Sequence, residues 1–304
     1  MRVAVVSLIA IAGCGRFGFE PAEKLGAPAD AKAPDDVVVV PRCNPARPYS
    51  SPVALVGLSS MSSEIGVEAT DDALAGVMWS DRSGVDRIYE VTRADPTADF
   101  SMPQLVPNLA SPTNVPDRDP ALSGDGLTLV FASQRTAGDW NMFATTRPSR
   151  SQPFAIPTQI VELATPSADW GPFVASDGLS LYYVTGSDLA YSSRTTAAAP
   201  WTAPGWLLTA LNTPSSEFEP AVTADELTIF YGSDRPDGGM GGLDIWTATR
   251  AAKSDPFTAP SPVTELNTSG DDIPSWVSPD RCQLFLTRTN GAAGWDLYVA
   301  TKPL

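Results

Sequence analysis

The chain of 304 residues contains no histidine. That absence removes Ser-His-Asp and Cys-His catalysis, histidine-ligated zinc and the ordinary pH switch. Basic residues are scarce as well: 20 Lys plus Arg stand against 35 Asp plus Glu, a formal charge of −15. Nucleic-acid binding needs a basic surface to neutralise phosphate, so that class is set aside. The mostly apolar run Val3 to Ile11 falls well short of the about 20 residues that span a bilayer. What is abundant points to a folded β protein. Hydrophobic residues make up 43% of the chain, enough for a core, and 29 Pro with 23 Gly suggest many turns between short strands.

The first residues read as an export signal. One positive charge at Arg2 precedes the apolar run, and Ile11-Ala12-Gly13-Cys14 closes it. This tetrapeptide resembles the bacterial lipobox. The resemblance implies that residues 1–13 are a lipoprotein signal peptide and that Cys14 is lipidated. Several acyl chains make a durable anchor where one is marginal. Gly15 in place of Asp implies sorting to the outer membrane of the cell envelope. Residues 14–46 are rich in Pro, Ala and charge and read as an extended tether.

From residue 47 the chain repeats itself. An acid in a turn recurs at Asp72, Asp125, Asp177, Asp225 and Asp280, in SGDG, ASDG, TADE and SPDR contexts. An alternating strand follows each acid, as in LTLVFAS and LTIFYGS, then a polar loop, then a closing strand such as NMFATTR or DIWTATR. Both strands read as half-buried antiparallel strands of period two. An aromatic-x-x-Pro segment and a strand entered through proline precede each turn acid, as in FSMPQLV and DPALS. A repeat near 50 residues with four short strands per unit is the content of a propeller blade. The units fall at about 47–96, 97–149, 150–195, 196–251 and 252–304.

These motifs resemble the Pro-Asp propeller repeat, a WD-like repeat of TolB-type periplasmic proteins. SDRPDGGMGGLDIWTATR in the fourth unit is the fullest match. The expected fold is therefore an all-β, five-bladed propeller of four-stranded antiparallel blades over residues 47–304. The N-terminal strand joins the last blade and closes the ring. TolB-type propellers usually have six blades, and a sixth, degenerate blade is the alternative.

A carboxylate stands eight positions before every turn acid: Glu64, Asp117, Asp169, Glu217 and Asp272. Blade geometry gathers the five on one face with Arg82, Arg135 and Arg235, where they could hold Ca²⁺ or a polyhydroxyl ligand. The competing reading is that each acid caps its own loop or pairs with an arginine of a neighbouring blade, and repetition in every unit favours it. Trp140, Trp170 and Trp295 fall in loops of the same face and could stack on a sugar or partner. Trp79, Trp246 and Trp276 lie within strands and read as core. With Cys14 lipidated, Cys43 and Cys282 remain, and an exported chain meets an oxidising compartment, so a Cys43–Cys282 disulfide is expected. The functional expectation is a monomeric, non-catalytic module binding an envelope protein or glycan, without a cofactor. Five-bladed propellers also resemble the arabinanase-type fold, which makes a glycoside hydrolase the alternative.

Overall fold

A computed structural model describes residues 42–304 apart from residues 110, 112–114, 137, 206–207 and 290–293. Cys14, the signal segment and most of the tether lie outside the described residues. A short strand, β1 (Val53–Ala54), comes first. The first blade then runs through β2 (Glu64–Ala69), β3 (Ala75–Ser80), β4 (Arg87–Thr92) and β5 (Gln104–Leu105). The second comprises β6 (Asp117–Leu122), β7 (Thr128–Ser133), β8 (Asn141–Thr146) and β9 (Thr158–Gln159). The third holds β10 (Asp169–Val174), β11 (Ser180–Thr185) and β12 (Asp188–Ser193). The fourth holds β13 (Glu217–Val222), β14 (Thr228–Ser233), β15 (Asp244–Thr249) and β16 (Ser261–Pro262). The fifth is β17 (Asp272–Val277), β18 (Gln283–Thr289) and β19 (Trp295–Thr301), with β1 returning as its outermost strand.

Every pairing within a blade is antiparallel, and the five innermost strands pack around a ring from β2 through β17 and back to β2. Five blades close this ring, which removes the six-bladed alternative. In the third blade the outermost strand is represented, among the described residues, by a bridge between Tyr191 and Gly205. Burial departs from the half-buried expectation. β2, β3 and β17 are buried at every position, because a blade stacks on neighbours through both faces.

The repeated residues have local duties. Each turn acid accepts the backbone N–H two residues on, as Asp125 does from Leu127 at 2.9 Å and Asp225 from Leu227 at 3.1 Å. In every blade but the third, where Ala175 stands, a hydroxyl two residues before it donates to the same oxygen, from Ser123 at 2.7 Å and Thr223 at 2.6 Å. This is an Asx turn reinforced from behind, and it sets the hairpin between the two inner strands. The basic residue that ends each third strand reaches back over the aromatic of the next aromatic-x-x-Pro segment. Arg93 covers Phe100 at 4.3 Å, Arg147 covers Phe154 at 4.3 Å, Arg194 covers Trp201 at 4.4 Å and Arg250 covers Phe257 at 4.5 Å. The Nε–H of each also donates to the carbonyl of an inner turn, for example Arg147 to Gly126 at 2.8 Å. One side chain thereby joins turn, third strand and outermost segment.

The two ends of the chain complete this scheme. Lys302 lies 4.6 Å over the ring of Tyr49, the place that Arg and Phe hold elsewhere. β1 pairs with β19, Val53 opposite Val299 and Ala54 opposite Tyr298. A disulfide joins Cys43 to Cys282 across 239 residues of sequence. The closure therefore rests on ladder, cation–π contact and covalent bond together.

Candidate functional site

The innermost strands carry a common irregularity that builds the site. Each slips register against its middle strand just after the rim acid, for example between Arg118 and Ala121 and between Phe218 and Ala221. The first residue after the acid is Ile65, Arg118, Trp170, Phe218 or Ile273, and these five surround one mouth of the central channel. The second is Gly66, Asp119, Gly171, Glu219 or Pro274. Four of these second residues have left-handed backbone: Gly66 at φ 65°, Gly171 at φ 55°, Asp119 at φ 49° and Glu219 at φ 34°. Glycine adopts that conformation at no steric cost, whereas Asp and Glu hold it under strain of roughly 1–3 kcal/mol each.

The mouth opens into a bowl of about 570 Å³. Trp79, Trp140, Trp170, Trp295 and Phe218 wall it, Asp81 and Asp86 stand at its side, and Asp119 and Glu219 reach its floor. Beneath them the channel narrows to a void of about 10 Å³ bounded by Pro120, Pro172 and Pro220. The bowl is thus closed below and has the size of a small-ligand pocket.

The two floor carboxylates meet across the channel from blades two and four. Asp119 accepts a long hydrogen bond from the Gly171 N–H at 3.4 Å. Glu219 extends toward the first blade, where a Cβ placed on Gly66 would lie 3.8 Å from its Oε2. Glu219 accepts no hydrogen bond among the described residues. Burial is the main influence on both. It pushes Asp119 up to about 6, with the neighbouring Arg118 charge and the Gly171 N–H opposing the rise. Glu219 is raised well above the ordinary glutamate value by burial and then by the charge of Asp119. Glu68, deeper in the channel, is raised the same way and accepts one bond from the Leu122 N–H at 3.3 Å.

Arg118 is held by the bowl itself. Its Nε–H donates to Asp86 at 2.7 Å, and its guanidinium lies 4.8 Å over Trp79 and 5.1 Å over Trp140. At the matching position of blade four stands Phe218, which meets Trp170 edge-on at 5.2 Å. The indole N–H of Trp79, a residue only 7% exposed, lines the bowl and is directed at Asp119, where it also opposes the rise of that carboxyl.

The five repeated rim acids are placed elsewhere. Glu64, Asp117, Asp169, Glu217 and Asp272 are at most 1% exposed and do not line the bowl. Four of them bind the loop that leads into their strand: Ser60 N–H at 3.0 Å to Glu64, Thr165 at 2.8 Å to Asp169, Thr213 at 3.3 Å to Glu217 and Thr268 at 2.6 Å to Asp272. Arg82 pairs with Glu64 at 3.0 Å, Arg135 with Asp117 at 2.6 Å and Arg235 with Glu217 at 3.0 Å. These arginines come from the same blade rather than a neighbouring one, and Arg288 does the same for Asp272. The acids and the three arginines expected on a ligand face therefore act as struts: the buried acids engage their own blade's loop or arginine, and Asp117 also lies 3.8 Å from Arg87 of the neighbouring first blade. Trp140, Trp170 and Trp295 do come together in the bowl. Trp79, expected in the core, joins them.

Asp119 and Glu219 were hidden in plain repeats, DRDP and EFEP. Their signal was the aligned column Gly, Asp, Gly, Glu, Pro, in which an acid takes a glycine's place twice.

No protein-family model matches the chain. No curated protein matches it either. Solved structures do. An α-L-arabinofuranosidase from Podospora anserina, solved in complex with cellotriose, aligns at 12% identity with a TM-score of 0.53 over 85% of this chain and 98% of its own. A family 117 glycoside hydrolase of the marine bacterium Zobellia galactanivorans aligns at 8% identity and 0.54, over 84% and 90%. TolB from Acinetobacter baumannii aligns at 15% identity and 0.47, covering 81% of this chain and 56% of that one. The likeness is one of fold. Fold alone does not imply function, so the site must speak for it.

Proposed function

We propose that the protein is a lipid-anchored propeller of the cell envelope, tethered at Cys14, that captures a protein or glycan partner without catalysis. The partner inserts one group into the bowl. The observation that carries this reading is the bowl itself: a closed-bottomed cavity of about 570 Å³ with four tryptophans and a phenylalanine in its wall. Flat aromatic faces grip sugar rings and side chains through area rather than bond making. Binding of a glycan and peptide library to the full chain, followed by tryptophan fluorescence, tests it. Paired Trp140→Ala and Trp295→Ala substitutions are expected to abolish the signal. Undiminished binding by that double variant would send the search away from this mouth.

Glycosidic-bond hydrolysis is the second reading, favoured by the two carboxylates in unequal surroundings. Glu219, with no positive neighbour, would carry the proton, and Asp119, beside Arg118, the charge. Against it, catalytic carboxylates need partners that fix them, and Glu219 has none while Asp119 has one long bond. Turnover of aryl arabinosides, xylosides or galactosides, lost in Glu219→Gln, would install this reading in place of the first.

A further inference from the structure

Inside the bowl, one half is complete and the other is not. On the blade-two side an acid, two indoles and a cation form a closed set: Asp119 stands beside Arg118, and Arg118 is sandwiched between Trp79 and Trp140 and bonded to Asp86. On the blade-four side the acid and the aromatics recur as Glu219, Trp170 and Phe218, but the position that holds Arg118 in blade two holds Phe218. No cation of the described residues lines that half. A partly buried carboxylate without a counter-charge is costly, and an aromatic wall attracts cations to its faces.

We propose that the bowl recognises an organic ammonium group, seated over Trp170 and Phe218 with its charge against Glu219 and Asp119. This rests on the reading of the bowl as a binding site and names the chemistry it selects. The ammonium would do for Glu219 what Arg118 does for Asp119. An inorganic ion fits less well. Among the described residues no three carboxylates converge closely enough to hold a metal, and indole faces are poor ligands for hard cations. The charges facing the seat are Glu219 and Asp119 at the floor, Glu68 below, Asp81 and Asp86 at the side, with Arg118 the one base. The balance is negative on every side, and it becomes more so as the floor acids lose their protons.

The test uses calorimetric titration of the full chain with four small probes. Two are amines, glucosamine and Nα-acetyl-lysine amide. Two are their neutral counterparts, N-acetylglucosamine and the lysine amide acetylated at Nε as well. The amines are expected to bind at least about tenfold more tightly than their acetylated counterparts. Their affinity should fall several-fold from about pH 7.5 to about pH 5, as the floor carboxylates take up protons. Glu219→Gln should remove the preference for the amine, while Asp177→Asn on the opposite face should leave it intact. Whichever amine binds more tightly names the source, an amino sugar or a lysine side chain. Equal binding of amine and neutral probes would overturn the ammonium and leave the bowl as a neutral site. No binding by any probe, with a folded protein by its melting curve, would overturn both readings.

Discussion

Removing the floor charges should make the free protein more stable, and the amount can be worked out. A carboxylate whose folded value lies above its unfolded one binds extra protons in the fold. Its folded state is therefore unpenalised below the ordinary value and loses stability as pH rises through the folded value. Asp119 rises from 3.8 to about 6. About two units at 1.36 kcal/mol each give roughly 3 kcal/mol lost by neutral pH, an upper bound because the bowl is open to water. Glu219 moves in the same direction and adds to the loss. The double substitution Asp119→Asn, Glu219→Gln keeps shape and removes both titrations. At about 2 °C per kcal/mol for a domain of this size, the Asp119 share alone should raise its melting point near neutral pH by up to about 6 °C, with the Glu219 share added to it. At about pH 4.5 the Asp119 share should shrink to about a third, roughly 1 kcal/mol, because that pH still lies above the residue's ordinary value. Lower pH is avoided, because Asp72, Asp225 and Asp280, held below the usual aspartate value by hydrogen bonds and arginines, lose their contribution there. Melting curves from about pH 4.5 to about pH 8 are the assay. Equal or lower stability of the variant at neutral pH would refute the assignment of strained burial to the pair.

The rim struts predict the opposite sign. Arg235→Ala strands the fully buried Glu217 without its cation and should cost about 3–5 kcal/mol in a urea titration, where a loss below 1 kcal/mol would argue against a structural role. Replacing Cys43 and Cys282 by Ser opens a covalent loop that fastens the N-terminal segment to blade five; about 2–4 kcal/mol should be lost, and an unchanged midpoint would count against the bond. Because the rim acids are consumed inside each blade, melting should be the same with Ca²⁺ as with chelator, and a rise of several degrees on adding Ca²⁺ would contradict this. Cys14→Ala should move the protein from membrane to soluble fractions, and retention in the membrane would remove the proposed anchor.

The repeat made the fold readable because each of its residues does the same job in every blade. Asp125 and Asp225 each close a hairpin, and Arg147 and Arg250 each cap an aromatic, so spacing alone located strands and turns. The rim acids misled for an equally physical reason. Blade geometry puts Glu64 and its counterparts on one face, yet nothing in the spacing says that Ser60 and Arg82 turn each carboxylate inward. Trp79 is buried in its strand as expected, and it also presents its indole edge to the bowl, which the alternation of the strand does not reveal.

Asp119 and Glu219 lie outside what every unit shares, and a site in a symmetric ring must break the symmetry. The structure weighs that break. Gly66 and Gly171 hold the same left-handed backbone in blades one and three without strain and without a buried charge. A purely scaffolding account of the inner ring therefore predicts glycine at all such positions, and it leaves two strained, desolvated acids with no structural return. Their costs fall together at the floor of one aromatic cavity, and Arg118 satisfies only one side of it. A cation supplied from outside would offset the burial of Glu219 and would use the aromatic faces of Trp170 and Phe218. Bound at a concentration well above its dissociation constant, such a ligand should restore to the parent protein the stability that the double substitution gives the empty one.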